Sequence, residues 1–488
     1  MDPITIEVVR SRLGSVADEM GAVLRATSLS PNIKERADCS AAVFTPSGEM
    51  LAQAEHIPVH LGSMPASVEA CLSSFDPRPG HQYAVNDPYR GGTHLNDLTL
   101  VAPVFHGQRL IGWVANRAPH ADVGGEAPGS MPAPARRLEQ QGPVVAPTIA
   151  AVEGVWEESF SVPFLKATRT PTERRGDLAA QIGANAVGAM RLVEVASHQS
   201  LDEFESISAQ LLGYGERRMR AALAALDDGT YRFEDYMEHG AEDVAIRVAV
   251  TVDGDSLVAD FIDSDPQVSA NFNAVSAVTR SCLYYAVRVA TDPSIPANGG
   301  CYRPLELRTR SGSIVDAAGG VAVAAGNVET SQRIADVLLG AMAQAAPNNV
   351  GAASQGTMNN VLIGNDDFAY YETVAGGEGG GPSRPGQSGI QTGMTNTENT
   401  PIESLAEHYP FRVTRYTLRR GSGGAGAHPG GEGIEREIEF RTPATLSLMG
   451  ERRRHQPWGL AGGMPGSCGE DWLVKQSGDR LRLAGKTT

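Results

Sequence analysis

The stretch that most constrains this chain is a pair of apolar runs, residues 98–105 and 108–116, joined by His106-Gly107 and bracketed by two polar, glycine-bearing motifs. Runs of this length around a Gly-bearing turn read as two antiparallel strands. Such a hairpin sets the start of one strand beside the end of the other, so NDPYRGGTHLND (residues 86–97) and NRAPHADVGG (residues 116–125) meet at one sheet edge. His94 and Asp97, three residues apart on a glycine-rich turn, are therefore expected close to His120. Imidazoles and a carboxylate converging on one point are what a divalent cation requires. An earlier hairpin is expected from residues 39–44, the turn Pro46-Ser47-Gly48 and residues 49–53, which puts Asp38 at the mouth of a strand as a fourth candidate ligand. Two histidines and two carboxylates suit zinc or manganese better than soft copper or the all-oxygen preference of magnesium and calcium.

The rest of the chain alternates between helical and strand patterns. Residues 4–29 carry apolar side chains at helical spacing ahead of Pro31, and helical patterns return at 178–195 and 201–226. Residues 230–265 alternate as strands around the turn Asp253-Gly254-Asp255, a helix is expected over 274–290, a strand-turn-strand over 305–315 and a helix over 331–344. The predicted fold is α+β and multidomain, with mixed helices, antiparallel sheets and a β-rich C-terminal part. A chain of 488 residues exceeds what one compact core usually needs. We expect an N-terminal α+β metal-binding domain (1–228), a β-rich middle domain with one helix (229–320), a Gly-rich active-site or interface segment (321–410) and a C-terminal β-rich domain (411–488).

A net charge of -16 opposes general affinity for nucleic acid or an anionic membrane, since both need clustered Lys and Arg. The opening MDPITIEVVRSRLG lacks the regions of a secretory signal and no uninterrupted apolar span follows, so the cytoplasm is the expected compartment. The five cysteines are odd in number and far apart, which suggests neither a disulfide framework nor a cysteine-type zinc site. Cys39 stands out only because it adjoins Asp38.

Three further features bear on the site. His56 and His60 in AEHIPVHLGSMP have i, i+4 spacing, but the intervening Pro58 argues against a regular helix, and substrate-facing or supporting roles are expected instead. The loop GGEGGGPSRPGQSG (residues 376–389) lets backbone N–H groups approach an anion closely, with Gly379, Gly380 and Arg384 as candidate substrate-binding residues. It lacks the Gly-Lys-Ser/Thr ending of a phosphate loop, and no nucleotide site is expected in this chain.

These motifs, together with SANFNA (269–274), GNVETSQR (326–333), GGEGGGP, MTNTENTPIE (394–403) and ERRRHQPWGLAGGMPG (451–466), resemble the B-type subunits of the hydantoinase/oxoprolinase family, in the family's order along almost the whole chain. The resemblance implies an A-type partner that binds ATP and phosphorylates a substrate carbonyl, in a hetero-oligomer such as a dimer of heterodimers. Relatives of this type include N-methylhydantoinases, 5-oxoprolinases, caprolactamases and ketone carboxylases. It implies metal ligation by Asp38, His94, Asp97 and His120, and hydrolysis of a carbonyl-activated cyclic amide. A metal-bound water is the expected nucleophile. Asp122 is expected to orient a ligand histidine, and Arg117 to hold phosphate or stabilise an oxyanion. Two other functions stay open: a ketone carboxylase subunit, and a non-catalytic scaffold for the A-type subunit. The chain departs from the family pattern at Asn96, where proline is common, and at Pro119 and Gly393, where histidine is common.

Overall fold

A computed structural model describes residues 3–54 and 57–488. Helix α1 (Pro3–Thr27) buries Val9, Leu13, Val16, Met20 and Leu24, the three-to-four-residue stripe that a helix lays against a core. The short α2 (Pro31–Lys34) begins on the proline that ends the first helical pattern. Strands β1 (Ser40–Phe44) and β2 (Met50–Ala54) form the first hairpin, α3 (Ser63–Ser74) and β3 (His81–Val85) follow, and β4 (Asp97–His106) and β5 (Arg109–Pro119) form the second. With β6 at Thr148–Val152 and β7 at Val155–Trp156, the two hairpins, expected as separate sheet signals, share one seven-stranded sheet of order β2-β1-β5-β4-β3-β6-β7. The junction is β1 against β5, antiparallel, with Ser40 opposite Arg117.

That sheet is buried on both faces, which explains why β1 and β5 read as nearly continuous apolar runs. One face packs on α1, α5 (Pro171–Ala196) and α6 (Leu201–Leu223), joining Leu13, Val16 and Met20 to Val43, Val104, Val114, Leu192 and Leu211. Each such side chain contributes about 1.5–3 kcal/mol when fully buried. Helix α4 (Glu158–Ala167) covers the end of the sheet nearest His120 through Phe164.

Beyond the helical layer the chain becomes mainly β. Strands β8 (Gly229–His239), β9 (Glu242–Asp253), β10 (Ser256–Asp260) and β11 (Leu305–Arg308) form a four-stranded sheet against α7 (Ser276–Ala290) and α8 (Ser331–Ala345). The strand expected after β11 does not form: residues 311–316 are turns held by the bridges of Ser313 to Pro266 and Asp316. Strands β12 (Asn360–Gly364) and β13 (Ala369–Thr373) follow. After α9 (Ile402–His408) come the hairpin β14 (Phe411–Arg419) with β15 (Gly433–Phe440), β16 (Thr445–Met449), the hairpin β17 (Asp471–Val474) with β18 (Arg480–Leu483), and β19 (Lys486–Thr487). A second four-stranded sheet has the order β13-β12-β16-β19. The fold is thus α+β with several antiparallel sheets and strands concentrated in the C-terminal half. A single apolar cluster runs from Ala42 to Met449 and binds the sheets together. No described helix is long and apolar enough to cross a membrane.

Candidate metal centre

Register carries the predicted residues toward one sheet edge, where Asp38, His94 and Asp97 line one cavity and His120 is not part of that lining. Asp97 lies opposite Pro119 across β4 and β5, and the pairing of β1 with β5 carries the chain from Ser40 back toward the same proline. Asn32 on α2 donates to the Pro119 carbonyl at 2.6 Å, while the Asp38 amide donates to the Asn32 carbonyl at 3.2 Å, so Asp38 is tied to the end of β5. The turn before Asp97 is built by its own sequence. Asp87 accepts from the Tyr89 amide at 3.0 Å, and Asn86 donates to the Leu95 carbonyl at 2.8 Å and accepts from the Val145 amide at 2.6 Å. Gly91 has φ +89°, and a Cβ there would fall 2.3 Å from the Ala66 carbonyl oxygen, so only glycine fits.

Asp38, His60, His94 and Asp97 line one cavity of about 20 Å³, enough for one water molecule or an ion of similar size. The Asp97 Oδ2 atom accepts from the Thr93 hydroxyl and lies 3.2 Å from His94 Nδ1 and 3.5 Å from His60 Nε2. His60, whose Nδ1 is 2.9 Å from the Ser40 hydroxyl, is thereby placed beside Asp97 at the cavity wall. His56 lies outside the described residues.

His120 shows how a ring proton is fixed. Gln181 on α5 spends both amide N–H groups, one on the Leu98 carbonyl at 2.9 Å and one on Asn116 Oδ1 at 3.0 Å. Its Oε1 can then only accept, and it sits 3.1 Å from His120 Nε2. Nε2 must carry the proton, which leaves the buried Nδ1 with a free lone pair. Burial, reinforced by Arg174, lowers the His120 pKa to about 4, so the ring is neutral. Sequence reasoning assigns the orienting role to Asp122. That carboxylate instead accepts from the amides of Gly124, Gly129 and Arg169 and from the Arg169 guanidinium, and it shapes the following loop. Gln181 escapes sequence reasoning because its only signal is a position on a helix 61 residues away.

Arg117 likewise has its donors engaged within the protein. It is fully buried and donates to Thr99, to the hydroxyls of Ser63 and Ser67 and to the Ser63 carbonyl, a set that ties β5 to α3. Burial lowers its pKa to about 10. Gly379 and Gly380 wall a different, larger cavity, and the exposed Arg384 pairs with Glu378 at 2.6 Å. The glycines are there for packing: a Cβ on Gly379 would meet the Ala352 carbonyl at 1.9 Å, and one on Gly380 the His428 carbonyl at 2.0 Å. The Cys39 thiol is buried and pushed up to about 12, which removes it from nucleophilic chemistry.

Among the described residues no three His, Cys, Asp or Glu side chains stand with their donor atoms close enough together to hold an ion. The chemistry of the unsatisfied atoms is nevertheless that of metal donors. His94 Nε2, Asp97 Oδ1 and His120 Nδ1 are all buried without a hydrogen-bond partner. Such atoms are costly to leave unpaired, by about 1–3 kcal/mol each. Burial pushes the Asp38 carboxyl up to about 6, and the nearby Asp97 adds to this. Burial also pushes Asp97 upward, but the adjacent imidazoles outweigh it and hold that carboxyl well below its ordinary range.

The opposite wall comes from distant sequence. Arg36 donates to the Tyr371 carbonyl at 2.8 Å and to the Thr373 hydroxyl at 2.9 Å and stacks 4.9 Å over the Tyr371 ring, drawing β13 against the N-terminal sheet. Met358, Thr395, Thr397 and Asn327 complete the lining. Asn327 sits on a single π turn, Gly326–Thr330, and its Oδ1 has no partner. π turns of this kind recur at functional sites. The motifs GNVETSQR and MTNTENTPIE are visible in the sequence, but nothing local shows that they face the His/Asp cluster.

The hydantoinase B/oxoprolinase family model matches residues 2–488. The chain belongs to that family. It is 38% identical to 5-oxoprolinase 1 of Arabidopsis thaliana over all of its own length, which is 40% of the plant protein. It is 30% identical to the B-type subunit of a putative D-/L-hydantoinase from a Pseudomonas species, covering 96% of this chain and 83% of that one. The crystal structure of ATP-dependent caprolactamase from Pseudomonas jessenii superposes with a TM-score of 0.91 at 26% identity, covering 100% of this chain and 88% of the other.

Proposed function

We propose that this family member is the hydrolytic part of an ATP-dependent cyclic amide hydrolase. In this reading Asp38, His94, Asp97 and His120 hold one divalent cation, zinc or manganese, and ATP is bound by an A-type partner chain. The observation that carries the reading is a set of buried donor atoms without protein partners at the β4–β5 edge: His120 Nδ1, left free by the bond of Nε2 to Gln181, His94 Nε2 and Asp97 Oδ1. The names of the relatives, 5-oxoprolinase, D-/L-hydantoinase and caprolactamase, support the reaction class.

A cation in this position supplies Lewis acidity and makes water a nucleophile near neutral pH. The chain's own residues arrange the surroundings. Thr93 and His60 fix one Asp97 oxygen so that the other faces the cavity. Ile57, Val59, Met358 and Tyr371 keep bulk water out. Asn327 Oδ1, an acceptor only, is placed to accept a hydrogen bond from water in the cavity. For a carbonyl-phosphorylated ring the net change consumes two waters: the ring C–N bond breaks, the carbon becomes a carboxylate, the nitrogen leaves as an amine and orthophosphate is released. A cavity of about 20 Å³ takes water or an ion and no ring, so substrate enters by displacing a wall. Among the walls, the segment at 394–400 is irregular and 326–330 is a single π turn.

The test is a screen of the chain with its A-type partner for ATP-dependent ring opening of hydantoins, 5-oxoproline and lactams. Turnover that needs ATP, partner and metal supports the reading. ATP consumption that depends on bicarbonate, with no ring opening, would replace it with a carboxylase.

A further inference from the structure

The C-terminal part encloses a second cavity, of about 1050 Å³, which the proposed hydrolysis does not use. Strand alternation separates it from the metal centre. Tyr371 and Thr373 on β13 face the small cavity, while Glu372 between them faces the other way and meets Arg436 of β15 at 2.8 Å. Val361, Ile363 and Leu448 give the larger cavity an apolar wall. Arg436 lines it with a side chain only 4% exposed, yet its Nε and Nη2 have no acceptor. Trp458 Nε1 and the Gln355 amide, on the same lining, are also buried and unpartnered. The local charge matches: residues 411–488 carry 13 Lys/Arg against 8 Asp/Glu, a net of +5, whereas the remaining residues sum to -21.

Glu372 balances the charge of this guanidinium and the Tyr416 ring stacks on it at 4.9 Å, but its two idle donors are costly until a further acceptor meets them, and the planar fork matches carboxylate or phosphate oxygens. An indole N–H is a donor only, and so calls for the same kind of partner. The geometry points to a second binding site here, for an organic anion: a carboxylate or phosphate group that takes up the idle donors of Arg436, in a cavity whose lining also offers Trp458 Nε1, carried on an apolar body that lies against β12 and β16. This site goes beyond the hydrolase reading and does not depend on it.

Calorimetric titration of the full-length chain with phenyl phosphate, benzoate and inorganic phosphate tests the inference and separates the sources of the anion. Phenyl phosphate or benzoate should bind at least tenfold more tightly than inorganic phosphate, because only they fill the apolar wall. Trp458→Phe, which keeps an aromatic ring and removes the N–H, should weaken binding about three- to tenfold. Arg436→Met alone strands Glu372 in the sheet and risks misfolding, so the decisive variant is Arg436→Met with Glu372→Leu, which replaces the buried pair by apolar groups. It should fold and lose at least tenfold in affinity. No heat from any probe at millimolar concentration would overturn the inference. So would binding unaltered in the double variant, or crystals grown with phenyl phosphate that hold only water against Arg436. Loss of the site on adding the A-type partner, with protection of residues 423–431 from hydrogen exchange, would identify the cavity as a docking surface and also overturn it.

Discussion

Replacing Glu329 by glutamine should stabilise the protein, increasingly so as pH rises. Glu329 lies on the π turn, fully buried, and accepts from the Thr357 hydroxyl at 2.6 Å, the Met358 amide at 3.0 Å and Asn360 Nδ2 at 2.8 Å. Asn360 in turn accepts from the Tyr371 hydroxyl at 2.8 Å, so the carboxyl props two walls of the small cavity lined by Asp38, His94 and Asp97. Burial raises its pKa from 4.5 to about 8; Glu451 adds to the rise, while Thr357, Lys486 and Arg453 oppose it. Below pH 4.5 the group is protonated in folded and unfolded chains alike and costs nothing. Between 4.5 and 8 the unfolded chain ionises and the folded one does not, so stability falls by about 1.4 kcal/mol per pH unit, levelling at a loss of ~5 kcal/mol above pH 8. Glutamine keeps the shape, and its Oε1 accepts from Met358 and Asn360 as the carboxyl does. Urea unfolding of both proteins at pH 5, 6, 7 and 8 should show a gap that widens with pH in favour of the variant. Parallel curves, or a variant less stable by ~1–3 kcal/mol at every pH, would show that Glu329 is ionised and fully paired, and the reasoning would be refuted.

Three further outcomes follow from the same contacts. Gln181→Leu frees the His120 tautomer and should lower metal affinity about 10–100-fold by competition with a chelator, with the circular dichroism spectrum unaltered. Arg117→Met should cost ~1–3 kcal/mol in unfolding experiments, because it strips partners from Ser63, Ser67 and Thr99, while leaving KM for the ring substrate of any folded fraction unchanged. Asn327→Leu, nearly isosteric, should lower kcat about tenfold in the reconstituted system, the worth of one hydrogen bond, with metal content and melting temperature held.

What the sequence discloses is decided by distance along the chain. The hairpin of β4 and β5 is legible because apolar runs and a Gly-bearing turn are local, and antiparallel geometry then forces residues 94–97 and 120 to one edge. The pairing of β1 with β5 is not, since nothing in residues 40–44 names a partner about 70 positions away, and so one sheet reads as two. The roles of Asp122 and Arg117 are hidden for a related reason. A charged residue beside a ligand motif carries no mark of whether its hydrogen bonds are already spent, and here loop amides and serines take them. The glycine loop at 376–389 signals close approach of backbone, correctly, but the groups approached are the carbonyls of Ala352 and His428 rather than an anion at the metal centre.

The central claim, a cation held by Asp38, His94, Asp97 and His120, is tested most directly by elemental analysis of purified wild-type, His94→Ala and Asp97→Ala chains. About one zinc or manganese per wild-type chain, lost in both variants while the fold persists, is the expected result. Undiminished metal in both variants would contradict it.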